Sequence, residues 1–228
     1  MGGKMMEETY RDPAGRARAA TIVLAVFMVC DVLLAASEAY TIRAIDGFQA
    51  GTQGLDALER SDQLGGVTGI SLLVLTALAA TFSARWILRV NRNAQQRSEG
   101  WMTVSPRWNV GAFFVPFANL LIPFRGLRET FQVSVDRDDP EAVAVPVSFR
   151  IWWAAWLAMG VAGQISFRLS MKAETLEQLR QVSVINLFTT PLDLLAASLF
   201  IGVIWRITRL QRRNLSRDEA GAILPALA

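Results

Sequence analysis

Two aspartates stand inside otherwise apolar stretches of this 228-residue chain, Asp31 in a run over about 19–40 and Asp193 in one over about 182–206. A carboxyl at the centre of a membrane span costs about 2.5–3.5 kcal/mol on insertion scales and marks a functional site by default. The chemistry this pair could do is proton or cation transfer. Glu38 follows Asp31 by seven residues and shares its helical face. Asn186, Thr189 and Thr190 precede Asp193, beside Pro191. Adding Gln164, Thr68, Ser71 and Thr76 gives a candidate polar seam, with Asp31, Asp193, Gln164 and Asn186 as its main members. No lysine or arginine lies in the interior of the spans to pair with the aspartates, since Arg85, Arg150, Arg168 and Arg206 stand only at span ends, so each carboxyl is expected to be neutral and able to donate a hydrogen bond. Interhelical bonding of that kind, which averages only ~0.6 kcal/mol per contact, is the plainer reading of both residues.

Much other chemistry is excluded. The chain has no histidine and a single cysteine, Cys30. It therefore has no Ser-His-Asp triad, no imidazole base or ligand, no internal disulfide and no thiolate cluster. No catalytic residue, metal site or cofactor is expected. Glu99, Glu129 and the acidic turn at 136–141 fall in no catalytic spacing. The glycine pairs at 51–54 and 65–66 lack a phosphate-loop lysine and read as turns.

The elements that must position these residues are long apolar helices. Hydrophobic residues make up 52% of the chain and charged ones 19%, with a mean hydropathy of +0.31. The expected fold is an all-α integral membrane protein with four transmembrane helices, since about 20 apolar residues cross a bilayer. The spans fall at about 19–40, 64–86, 150–168 and 182–206, within a membrane domain at 19–210. A cytoplasmic N-terminal segment at 1–18 and a cytoplasmic tail at 211–228 flank that domain. The first apolar run exceeds the h-region of a signal peptide and holds an aspartate, so it is read as retained. Ile42, Ile45 and Phe48, then Leu55 and Leu58, suggest short amphipathic helices over the bundle. Residues 173–182 suggest a helical lead-in to the fourth span.

Of the 23 lysines and arginines, 18 fall on the side holding both termini and the central connection. The positive-inside rule makes that side cytoplasmic. All seven tryptophans (Trp86, Trp101, Trp108, Trp152, Trp153, Trp156 and Trp205) fall on or beside it.

Residues 108–124, WNVGAFFVPFANLLIPF, are uncharged but do not suit a fifth span. Pro116 and Pro123 each remove a backbone donor. Asn109, Gly111 and Asn119 dilute the run, and a crossing would undo the charge asymmetry. The segment is read as an interfacial or re-entrant, Pro-containing element on the cytoplasmic side, preferably an anchor with Arg125 and Arg128 meeting lipid phosphates. Trp108, Pro116, Asn119, Pro123, Arg125 and Arg128 are its candidate interface residues. The basic stretch 206–217 is expected to face anionic lipid.

Asn93-Ala94, Ser105-Pro106-x-Trp108-x-Val110-Gly111, Phe114-Val115-Pro116-x-x-Asn119-Leu120-x-x-Pro123 and Arg128-Glu129 resemble the signature of the domain of unknown function 4328 family. Val145-Pro146 and Trp152-Trp153-x-x-Trp156 are similar as well. The resemblance runs from the second span through the fourth and implies a bacterial multi-pass membrane protein, hence the cytoplasmic (inner) membrane. It carries no activity with it.

The expected function is that of a non-enzymatic accessory or interaction protein presenting a Trp/Arg-rich cytoplasmic face. Its expected partners are membrane lipids, and another membrane protein or a second copy of itself, but not nucleic acid. The alternatives are a small oligomeric proton- or cation-conducting protein using Asp31 and Asp193, and a lipid-acting membrane enzyme.

Overall fold

The computed structural model describes residues 10–223. Residues 1–9 of the expected N-terminal segment, and 224–228 of the tail, lie outside them. The regular elements among the described residues are all helices, without a strand: α1 (Ala14–Gln49), α2 (Leu55–Gln95), α3 (Pro106–Gly111), α4 (Ile122–Val135), α5 (Val147–Ser170) and α6 (Leu176–Ile223). Two 3-10 turns, Ala112–Phe114 and Ala118–Leu120, link α3 to α4.

Local chemistry sets the helix ends. The Asp12 carboxylate accepts from the Ala14 amide at 2.8 Å and caps α1. At its far end Gly51 takes a φ of 71°, and the amides of Thr52 and Gln53 both return to the Gly47 carbonyl at 2.8 and 3.1 Å. That turn is a glycine-dependent helix stop. A capping box opens α6: the Gln178 amide donates to the Thr175 hydroxyl, while the Gln178 side chain accepts from the amides of Glu174 and Thr175. The expected lead-in to the fourth apolar stretch is thus the first turns of α6. The stretches around Ile45 and Leu58 are not separate amphipathic helices. They are continuous extensions of α1 and α2, which no proline interrupts, and the glycines at 65–66 lie inside α2 rather than forming the expected turn.

The described residues form two compact units. One comprises residues 20–81 and 147–202 and holds most of the apolar helical length. Ile22, Val29, Leu33, Val67, Ile70, Leu73 and Phe188 are exposed on it. Trp152 stacks on Phe200 at 4.9 Å, and Trp153 stacks on Trp156 at 4.7 Å. Three helices, α1, α2 and α6, are long and apolar enough to cross a membrane. Aliphatic exposure on that scale marks a membrane protein. α5 is not among the three. Its uncharged run is only 151–167, so a longer stretch takes in Arg150 or Arg168.

The second unit comprises residues 10–19, 82–146 and 203–223. Its core joins Trp86, Ile87, Val90, Leu127, Phe131, Val133, Ile204 and Ile207 to a buried polar network. Gln211 lies at the hub. Its amide donates to the Val90 carbonyl at 2.8 Å and to the Ser134 hydroxyl at 3.2 Å, and its side-chain oxygen accepts from Asn93 at 2.9 Å. Asn93 also donates to the Arg11 carbonyl, Trp86 donates to the Thr208 hydroxyl, and Asn214 donates to the Ser134 carbonyl. Satisfied networks of this kind fix one arrangement of the helices that share them.

Candidate functional site

The polar residues inside the long apolar helices fall into antiparallel register on α1 and α6. Asn186 donates to the Glu38 carboxylate at 2.7 Å and accepts from the Ser166 hydroxyl of α5. Seven residues further along each helix, Asp31 and Asp193 come within electrostatic reach of one another. Asp31 is buried, and its Oδ2 has no hydrogen-bond partner among the described residues, whereas Asp193 is half-buried. In the opposite direction, the register ends at Arg180, which pairs with Asp46 at 2.7 Å.

Asn186 is therefore brought to Glu38 and Ser166, Asp31 and Asp193 lie within electrostatic reach of one another, and Gln164 joins neither group. Gln164 is exposed, while Ser166 on the same helix makes the inward contact. Thr68, Ser71 and Thr76 also leave the expected seam, because each hydroxyl donates to the carbonyl four residues back, at 2.7–2.8 Å. That internal bond lets a hydroxyl sit on a helix in lipid without a partner helix. Thr189 and Thr190 both donate to the Asn186 carbonyl, beside Pro191, which can donate no amide of its own.

The segment 108–124 is irregular. Ser105 caps α3 by accepting from the Trp108 amide, and Pro106 opens the helix. Phe117 takes a φ of 64°, and Pro123 is buried in the first turn of α4. The result is an apolar knuckle. Phe114, Phe117 and Leu121 are 78%, 82% and 72% exposed, and Trp108, Val115 and Leu120 are exposed beside them. Pro116 is exposed, Asn119 is half-buried, and Arg125 and Arg128 are exposed.

The knuckle stands on a rigid base. Asn109 is fully buried against Gly126, where an added methyl group would strike its side chain. Thr130 donates to the Gly126 carbonyl at 2.8 Å and accepts from Asn91 at 3.2 Å. Glu129, 3% exposed, accepts from the amides of Thr103 and Val104 at 2.9 and 3.1 Å, from the Thr103 hydroxyl, and from Arg125 Nε at 3.0 Å. This carboxylate pins the loop before α3 to α4. The structural partners Ser166, Asn109, Asn91 and Gln211 carry no sequence signal, since polar residues at such positions look solvated. The acidic turn after α4 is a local one, in which Asp136 accepts from the amides of Asp138 and Asp139. No group of three or more metal-binding side chains occurs among the described residues.

These features define an all-helical membrane protein with a polar register between two of its apolar helices. The chain matches the domain of unknown function DUF4328 over residues 52–209 and belongs to that family. The match takes in the 108–124 segment and Asp193, and Asp31 precedes it. No curated protein and no solved structure matches the chain.

Proposed function

We propose that this protein is a non-enzymatic accessory or interaction protein of the bacterial cytoplasmic membrane, with four spans and both termini in the cytoplasm. In this reading α5 is the fourth span. At ~1.5 Å per residue its uncharged run covers about 25 Å, and Arg150 and Arg168 reach outward from its ends. The observation that carries the reading is the knuckle of Phe114, Phe117 and Leu121, held out from a buried polar base. Burying a side chain of this kind contributes roughly 1.5–3 kcal/mol, so leaving three in water is unfavourable. The knuckle enters the membrane interface, with Arg128 at phosphate level, and fixes the Trp/Arg-rich face that a partner subunit or a second copy of the chain would meet. Glu129 is fully engaged in holding the 103–104 loop, which argues against its use as a general base.

A photo-crosslinking residue at Phe117, activated in native membranes, tests the reading. Adducts to lipid support an anchor, and adducts to one stoichiometric protein support an accessory subunit. Absence of both would count against the proposal.

The register of Asp31 and Asp193 favours a second reading, conduction of protons or cations. In proteoliposomes a conducting protein would lose its flux on Asp31→Asn or Asp193→Asn. Wild-type vesicles no leakier than empty ones would eliminate that reading.

A further inference from the structure

Side-chain contacts between α1 and α6 place Asp31 and Asp193 level with one another. Arg180 pairs with Asp46 at 2.7 Å, Asn186 donates to Glu38 at 2.7 Å, and Ser198 donates to the Met28 sulfur at 4.0 Å. Along that series the numbering falls on α1 and rises on α6, so the two helices keep one antiparallel register. Asp31 and Asp193 each stand seven residues beyond the Glu38–Asn186 bond, between it and the Met28–Ser198 contact. Seven residues bring a helix back to nearly the same face. The two carboxyls therefore share the interface that Glu38 and Asn186 share.

No cation is packed against them. Neither α1 over 19–42 nor α6 over 181–205 holds a lysine or arginine, and neither α2 over 64–84 nor α5 over 151–167 brings any charged side chain. Glu38 is engaged by Asn186, and the Cys30 thiol turns to the Thr68 carbonyl of α2 at 4.0 Å. Asp31 is 2% exposed, with its Oδ2 unpartnered among the described residues. A carboxylate so placed takes up a proton or a cation. Hard metal ions require about six oxygen ligands, whereas Met28 and Cys30 beside the pair end in sulfur. A proton needs only the carboxyls.

Polar groups continue from the pair in one direction. Towards Asp46 comes Thr190, buried on the face of α6 that carries Asn186 and Asp193. Glu38, Asn186 and Ser166 follow, ~10 Å along the helix axis from the pair. Asp46, which is exposed, ends the series. In the other direction α1 is wholly apolar over 22–29, and α6 over 194–202 offers one polar side chain, Ser198, already bonded to Met28.

We propose that Asp31 and Asp193 form an intramembrane proton-binding site that exchanges only with the Asp46–Arg180 end of the helix pair, by way of Glu38 and Thr190. A proton from water at that end rests on the Glu38 carboxylate, passes the Thr190 hydroxyl to either aspartate, and leaves by the same route. The site rests on the membrane reading above and narrows its second form, to a proton instead of a metal ion and to one entrance instead of two. Such a site binds and releases protons without conducting them.

The test is labelling by dicyclohexylcarbodiimide, a lipid-soluble reagent that adds to protonated carboxyls. Right-side-out and inverted membrane vesicles carrying the full-length protein are compared, and adducts on Asp31 and Asp193 are read by peptide mass spectrometry. The medium is set between about pH 5 and about pH 9, a range that covers buried carboxyls, at constant lumen pH. An impermeant thiol reagent on Cys30→Ser/Ala50→Cys shows separately which face carries the Asp46 end, so a wrong topology and a wrong entrance are told apart. Labelling should fall several-fold with rising pH on the Ala50 face and ignore pH on the other. Glu38→Gln keeps an acceptor for Asn186 but carries no proton, and its response to a pH jump should be roughly tenfold slower. Should that variant not fold, Thr190→Val serves in its place. Labelling that follows the opposite face, that is constant over the range, or that is absent would overturn the proposal, as would wild-type speed in Glu38→Gln. Protection by sodium or calcium ions at constant pH would overturn the proton assignment in favour of a metal cation. A Phe117 probe that finds neither lipid nor protein, with labelling as expected, would reject the anchor alone, and the converse would reject this site alone.

Discussion

Asn186 donates to Glu38 across the α1–α6 pair at 2.7 Å, two helical turns from Asp31 and Asp193, which lie within electrostatic reach of one another. This contact fixes the rotation and register of the two helices that carry Asp31 and Asp193. Replacing Asn186 by leucine removes the donor and leaves Glu38 and Ser166 without their partner. The expected cost is about 1–3 kcal/mol, above the ~0.6 kcal/mol average for interhelical bonds, because a carboxyl group loses its partner. Adding Glu38→Leu should recover part of that loss. Unfolding in mixed micelles measures both, and a double variant as impaired as the sum of the singles would argue against the pairing.

Gly126 faces the buried Asn109 side chain with no room for a methyl group. Gly126→Ala should destabilise the protein by about 1–3 kcal/mol, the usual range for overpacking. Gly111→Ala, where the nearest atom lies 3.7 Å away, should be nearly neutral. Thermal melting of the two variants compares them directly. Asn109→Ala placed on Gly126→Ala should relieve the strain.

Glu129 and Arg125 form an ion pair whose halves have different worth. The carboxylate is buried and holds two amides and a hydroxyl, whereas the Arg125 side chain is 54% exposed. Arg125→Ala should then cost no more than ~1 kcal/mol. Glu129→Ala leaves the 103–104 amides without their acceptor and should cost about 2–3 kcal/mol or more. Equal melting temperatures for the two variants would contradict this division.

The long apolar helices were legible because unbroken uncharged runs of that length suit little besides a membrane span. The helix extensions to Gln49, Gln95 and Ile223 were less so, since their polar residues carry no hydropathy signal. The carboxyls at 31 and 193 were visible as misplaced charges, but their alignment depends on helix rotation, which tertiary packing decides. The same rotation turns Gln164 outward and Ser166 inward, a choice that composition does not encode. Pro116 and Pro123 marked 108–124 as irregular, and it is. The buried asparagines of the same unit were unreadable, because their partners lie 39 residues away for Asn91, beneath the segment, and 118 for Asn93, in the network around Gln211.

The anchoring of the knuckle is tested most directly by the depth of Phe117. Cys30 is the chain's one cysteine, so Cys30→Ser with Phe117→Cys gives a single site for a nitroxide label. In liposomes the label should be protected from a water-soluble nickel relaxant and accessible to oxygen, as for a side chain at the interface. A label as exposed to the nickel reagent as one placed at Asp138, on the exposed turn after α4, would contradict an anchored knuckle.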